Sequence, residues 1–366
     1  MKLHSFYETS KDLEAYTPGV TPEELAARLG IPRSEVQKLD ANENLFLPQM
    51  MMQEILREAS KETDPRLYPS GESERLREAL SGYLGVSPRQ IVLGGGSDQL
   101  IEFLLHALLR AGDEMLAVTP TFSVYGLNAR TMGVGYRTVD VEEDFSLNVE
   151  EVLSAVTPRT CILVLCSPNN PTGNQFARDK VLSLAERFQG LVVVDEAYVE
   201  YAGYSLAEEA ARFDNMLILR TFSKAFGLAG LRLGYAVSNS DLAGVLNDRY
   251  QMPYPVSSIS LKAGLLMLER IGEVRGSVEA AKRERGWLTD ELNAMEGVTA
   301  YPSNTNFVLF SLTRDYQEVY GELLERGIIV RKIGPVPGVI HGCLRVTLAP
   351  REKLDRFLVA LKEAME

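Results

Sequence analysis

The sequence predicts an α/β fold with a mainly parallel sheet covered by helices, followed by a second, smaller domain. Short β-rich apolar runs alternate with helical patterns from about Ile91 to Arg220. Those runs are continuous in hydrophobicity, which marks strands buried on both faces. After about Ser260 the texture shifts to longer helices and a separate apolar strand, and 366 residues at roughly 150 per domain also give two domains.

The elements follow in chain order. Thr21-Pro22-Glu23-Glu24 reads as a capping box, with Thr21 as cap and Glu24 reaching back, ahead of a short amphipathic helix that stops at Gly30. This first segment is expected to act as an arm. The strand runs are IVL at 91–93, MLAV at 115–118, CILVLC at 161–166, LVVVD at 191–195 and MLILR at 216–220, with a helix expected over Gln99–Leu109. A charged helical stretch runs from Glu273 to Glu291, and an apolar strand covers Asn306–Phe310. In the tail, Leu354, Phe357, Leu358 and Leu361 recur at i, i+3, i+4, i+7, one face of a closing helix. No internal repeat and no Gly/Ser or Pro-rich linker separates the parts, so intimate contact between the domains is expected.

Composition removes several classes of function. With 38 Lys and Arg against 50 Asp and Glu, the net charge is −12, and nucleic acid is a poor partner. An anionic ligand must be held by a few placed cations or backbone N–H groups, because the molecule's whole field opposes it. Cys161, Cys166 and Cys343 do not make a disulfide framework, and three histidines without paired spacing argue against a metal site. No secretory h-region and no run of 18 apolar residues is present, so a cytoplasmic protein without a membrane span is expected.

Candidate chemistry sits at strand ends, where open α/β sheets bind ligands. Gly94-Gly95-Gly96-Ser97-Asp98 opens a helix whose N–H groups suit a phosphate; alternatively it is a plain turn capped by Ser97 or Asp98. Ser167-Pro168-Asn169-Asn170-Pro171-Thr172-Gly173 is a stiffened loop suited to holding an amide in one orientation. Asp195 ends the most apolar strand and needs a cation or several donors opposite it. Lys224, within Thr221-Phe222-Ser223-Lys224-Ala225-Phe226-Gly227, has neighbours small and apolar enough to desolvate an amine and make it carbonyl-reactive. Arg232, past two further glycines, is placed to return to the same pocket as an anion clamp. Arg331 and Arg345 lie in apolar strand-like runs and need either internal salt bridges or an anionic ligand.

Taken together and in order, these texts resemble the fold-type-I pyridoxal-phosphate (PLP) aminotransferases, and within them the histidinol-phosphate aminotransferase family. The matching texts are LDANEN at 39–44, RLYP at 66–69, GSDQ at 96–99, PTFSVY at 120–125, SPNNPTG, DEAY, RTFSKAFGLAGLR, SNTNF at 303–307 and CLRVT at 343–347. The resemblance spans nearly the whole chain. It implies a large PLP-binding domain over 45–265 and a smaller α+β domain from both chain ends, 1–44 with 266–366.

The resemblance also implies roles. Lys224 would bind PLP covalently and shuttle the proton at the substrate Cα, and Asp195 would pair with the pyridine nitrogen. Asn170 and Tyr198 would hydrogen-bond the phenolate oxygen, and Phe122 would stack on the ring. Ser97, Asp98, Ser223 and Arg232 would hold the phosphate, with Tyr68 reaching it from the partner of a homodimer. Arg345 would clamp the substrate α-carboxylate and Arg331 a distal carboxylate or phosphate, with Asn42 also among the substrate-binding positions. The implied reaction moves an amino group between L-histidinol phosphate and 2-oxoglutarate; aromatic amino-acid transamination and decarboxylation of threonine phosphate are the alternatives on the same scaffold. Two departures stand out: Phe122 replaces the family's usual Tyr, and Tyr16-Thr17-Pro18-Gly19 stands where some members carry a Tyr that touches the substrate phosphate.

Overall fold

The computed structural model describes residues 3–11, 13 and 19–366, so Tyr16, Thr17 and Pro18 lie outside the described residues. Its strands, in chain order, are β1 (Gln37–Lys38), β2 (Ile91–Gly94), β3 (Glu114–Thr119), β4 (Gly135–Asp140), β5 (Thr160–Cys166), β6 (Leu191–Asp195) and β7 (Met216–Thr221). They continue as β8 (Gly234–Val237), β9 (Val298–Ala300), β10 (Phe307–Leu312), β11 (Ile328–Ile329), β12 (Arg331–Val336) and β13 (Val339–Thr347). A seven-stranded sheet runs in the order β2-β8-β7-β6-β5-β3-β4. Strands β4, β3, β5, β6 and β7 are mutually parallel, and β8 is antiparallel to both its neighbours. The parallel centre expected from the continuous apolar runs is present.

Each run divides between two cores by the alternation of side chains along a strand. Leu116, Val118, Leu163, Leu165, Val192, Val194 and Ile218 face one core. Met115, Ile162, Val164, Val193, Leu217 and Leu219 face the other, beneath the helix Ser97–Leu108. The first core continues without a break into a four-stranded antiparallel sheet, β12-β13-β10-β9, through Val308, Leu309, Phe310, Leu344 and Val346. The close contact expected between the chain's parts is therefore a shared apolar core.

The chain ends close this second sheet. Leu354, Phe357, Leu358 and Leu361 are buried on the helix Arg351–Met365, with Phe357 edge-on to Phe310 at 6.0 Å. Near the N-terminus, Thr21 caps the helix Pro22–Leu29 with the reciprocal Glu24 contact, and Gly30 ends it in the left-handed conformation. Downstream, β1 pairs in parallel with β11, tying the N-terminal segment to the C-terminal sheet. One boundary differs from the sequence reading. The helix after the triple glycine begins at Ser97 rather than Gln99, with Gly96 at its cap position, and neither Ser97 nor Asp98 makes a side-chain cap. Their backbone N–H groups thus belong to the uncapped first turn, which keeps them available to a ligand.

Candidate active site

A cavity of about 620 Å³ opens where the C-terminal ends of β5, β6 and β7 meet β12 and β13, and the strap of residues 40–43 crosses it. Ser97, Asp98, Phe122, Asn170, Asp195, Tyr198, Ser223, Lys224, Arg232, Arg331, Arg345 and Asn42 all line it. Their scattered sequence positions converge because a parallel sheet brings every strand's C-terminal end to one edge. Tyr68 is the exception. It is 75% exposed and stacks on Tyr254 at 4.6 Å, away from the cavity lining.

One end of the cavity is an anion seat. Gly96 adopts φ +92°, and a Cβ there would lie 2.6 Å from the Arg232 guanidinium, so only glycine lets that side chain cross the helix start. Gly234 on β8 is equally constrained: its Cβ would meet the Gly96 backbone and the Ser97 nitrogen at 2.7 Å. Arg232 pairs with Asp98 at 2.8 Å and donates toward Ser223 Oγ at 3.4 Å. Two uncapped N–H groups, a hydroxyl and a guanidinium around a helix N-terminus are the donors that suit a phosphate.

At the opposite wall Asp195 is buried at 3% exposure. Its Oδ2 accepts from Tyr125 Oη at 2.7 Å and its Oδ1 from the Ala197 N–H at 3.0 Å. Burial nevertheless outweighs those donors and pushes its pKa up to about 6. Such a carboxylate calls for a cation in the cavity, which a protonated pyridine nitrogen would provide. Facing it, the Lys224 amine is pushed down to about 8, first by burial and then by the Arg345 charge, while it donates to the Ala41 carbonyl at 2.9 Å. Phe122 stands at the side of the cavity, edge-on to Tyr125 at 5.8 Å.

The two asparagines of the SPNNPTG loop divide their work. Asn169 is buried and bonds the Pro120 carbonyl and Thr172 Oγ1, shaping the loop, whereas Asn170 lines the cavity and its carbonyl oxygen accepts from Arg345. Arg345 also donates to the Asp40 carbonyl at 2.7 Å. Arg331 and Arg345 are direct cross-strand partners in the β12–β13 register, a like-charge juxtaposition that an anion between them relieves. Lys38, at the end of β1, pairs with Glu43 at 2.7 Å and Asp40 at 3.3 Å in the strap. Asn42 Nδ2 donates to Tyr198 Oη at 2.9 Å, so that amide is engaged within the protein.

Sequence reasoning missed Tyr125, Asp40, Glu43, Thr347 and Asn306. Among the described residues no group of three or more His, Cys, Asp or Glu is spaced to hold a metal ion, and no helix is long and apolar enough to cross a membrane.

An α/β fold whose cavity brings together a desolvated amine, a buried carboxylate and a helix N-terminus open to a phosphate fits a PLP-dependent enzyme. The chain belongs to the class I and II aminotransferases, whose family model matches residues 34–361. It is 38% identical over 330 residues to a histidinol-phosphate aminotransferase from Caldanaerobacter subterraneus subsp. tengcongensis, covering 90% of this chain and 93% of that one. A histidinol-phosphate aminotransferase from Methanosarcina mazei is 38% identical over 353 residues, covering 96% and 94%. Among solved structures, the Sinorhizobium meliloti histidinol-phosphate aminotransferase in complex with pyridoxal-5′-phosphate superposes with a TM-score of 0.86 at 27% identity, covering 98% of this chain and 96% of that chain.

Proposed function

We propose that this transaminase exchanges an amino group between L-histidinol phosphate and 2-oxoglutarate, giving imidazole acetol phosphate and L-glutamate in histidine biosynthesis. The observation that carries the reading is the Arg331–Arg345 pair, two guanidinium groups opposed across one strand register at the same cavity in a protein of net charge −12. Two successive amino partners that share anionic ends, a carboxylate or a phosphate, account for such a pair.

The residues fit PLP in the roles their chemistry suggests. When bound, PLP supplies a carbonyl that captures amines and a protonated ring that takes up the electron pair left at the substrate Cα. Asp195 would keep the ring nitrogen protonated, and the ring's charge would in turn satisfy a carboxylate that burial alone destabilises. Ser97 and Asp98 N–H, Ser223 and Arg232 would hold the phosphate, with Tyr68 added by a partner subunit. Phe122 would pack on the ring face without the hydroxyl a Tyr would bring. Asn170 and Tyr198 would donate to the phenolate oxygen. Lys224, its amine pushed down to about 8 chiefly by burial, would accept the proton from the substrate Cα and give it back to complete the transfer. Arg345 holds the α-carboxylate of glutamate, while Arg331 receives the distal carboxylate or the substrate phosphate.

The reading includes a homodimer in the cytoplasm, with residues 45–265 as the large domain and 1–44 with 266–366 as the small one. The test is an amino-acceptor screen with glutamate as donor. Imidazole acetol phosphate should turn over at least about tenfold faster, as kcat/KM, than its unphosphorylated form, the difference expected of one charge-assisted contact. Arg331→Gln should remove most of that preference. Equal rates for both forms, with aromatic 2-oxoacids reacting well, would reassign the substrate.

A further inference from the structure

The Tyr198 hydroxyl is 4% exposed at residue level, lines the cavity, and accepts a hydrogen bond from Asn42 Nδ2 at 2.9 Å. Among the described residues nothing accepts its proton. The Asn42 contact is part of a closed circuit. The Asn42 N–H donates to Thr347 Oγ1 at 3.0 Å, which leaves the threonine hydroxyl to donate to Asn42 Oδ1 at 3.4 Å. With Oδ1 turned to Thr347, the NH₂ faces Tyr198. The Asn42 carbonyl is held in turn by Asn306 Nδ2 at 2.9 Å, and the residue sits at φ +55°, a left-handed position that asparagine tolerates. It is 1% exposed.

We propose that Asn42 is a positioning residue rather than a substrate ligand: by occupying the acceptor side of the Tyr198 hydroxyl it forces that O–H to point into the cavity as a donor. This rests on the PLP reading, in which the Tyr198 proton meets the phenolate oxygen. Burial holds the Tyr198 phenol well above the usual tyrosine range, so the proton stays on. Thr347 lies on β13 and Asn306 just before β10, so the C-terminal sheet sets the aim of a donor mounted after β6. The consequence is a coupling. The donor is aimed only when the strap and both sheets are in register.

The experiment titrates the visible band of the PLP-loaded enzyme with pH. A donor O–H on the phenolate favours loss of the proton from the cationic nitrogen beside it, so a misaimed Tyr198 moves the midpoint up. Asn42→Gly keeps the positive φ and deletes the amide; a rise of about one unit is expected, the size of one hydrogen bond to a charged group. Asn42→Asp replaces the donor with an acceptor that draws the Tyr198 proton away from the cavity, and should shift the midpoint at least as far. In a Tyr198→Phe background, Asn42→Gly should add no further shift. An unchanged midpoint in Asn42→Gly, or additive shifts in the double variant, overturns the proposal while leaving the PLP reading intact. A wild-type chain that develops no visible band on PLP addition overturns both.

Discussion

Lys224 illustrates what single residues can and cannot reveal. The desolvation of its amine was legible in the sequence, because a lysine set in S-K-A-F-G-L-A-G-L is short of polar neighbours, and in the structure desolvation pushes that amine down to about 8. The second cause, the Arg345 charge, lies 121 positions away and was not visible as a neighbour until the second sheet brought β13 to the cavity that Lys224 lines. A measurable consequence follows from the sign. A carbonyl is attacked by the neutral amine, so the rate at which the cofactor-free protein captures PLP should rise with pH and level off above about 8. Arg345→Gln removes a cation that disfavours protonation, so the midpoint should move to higher pH, and Lys224→Ala should show no covalent capture at any pH. Stopped-flow absorbance gives all three profiles; a midpoint that stays in place in Arg345→Gln would rule out this electrostatic coupling. Tyr125 and Asn42 were harder to read. Both act through hydrogen bonds to other site residues, at Asp195 and Tyr198, and such contacts leave no periodic or compositional trace.

At the level of elements, continuous apolar runs foretold the parallel strands β3, β5, β6 and β7, because double burial requires unbroken hydrophobicity. Within the seven-stranded sheet the strands missed were β4, where Gly135, Tyr136, Arg137 and Thr138 lie on an edge and stay partly exposed, and β8, whose GYAV is too short to stand out. Yet β8 supports the helix start at which the phosphate is proposed to sit. Gly234 is paired with Gly94 on one side and Thr221 on the other, and its missing side chain lets β8 lie against the start of the Ser97–Leu108 helix. An added methyl would meet backbone atoms at 2.7 Å, which no rotamer change relieves. Gly234→Ala should therefore push the helix N-terminus off its position, destabilising the fold by about 1–3 kcal/mol and weakening PLP binding by roughly tenfold or more. Urea unfolding of the cofactor-free protein and a PLP titration separate the two effects. Unchanged PLP affinity in a destabilised variant would show that the helix start does not hold the phosphate.

On the scale of the whole molecule, an acidic chain keeps anionic ligands only where cations are concentrated, and Arg232, Arg331 and Arg345 provide that concentration inside one cavity. The sequence allowed those arginines to be nominated but not joined, since the contact depends on a second sheet sharing the first one's core. The remaining exposed feature is apolar. Leu67 at 68% exposure, Tyr68 at 75%, Met252 at 60% and Tyr254 at 55% lie around the stacked Tyr68–Tyr254 pair. Pro255, next to Tyr254, approaches Gly95 beside the phosphate seat: a Cβ on that glycine would sit 3.8 Å from the Pro255 carbonyl oxygen. Large aromatic and aliphatic groups left in water at the edge of a ligand site mark an interface. The proposed homodimer would bury this patch and explain why Tyr68 lies outside its own chain's cavity lining. Sedimentation velocity should then give a particle of twice 40.6 kDa, and Leu67→Asp should shift it toward the single chain. Because the partner's Tyr68 is expected at the phosphate, Leu67→Asp should also weaken PLP retention on dialysis, whereas Tyr68→Phe should weaken it without dissociating the dimer. A wild-type chain that sediments at 40.6 kDa with PLP bound would separate the cofactor site from any partner.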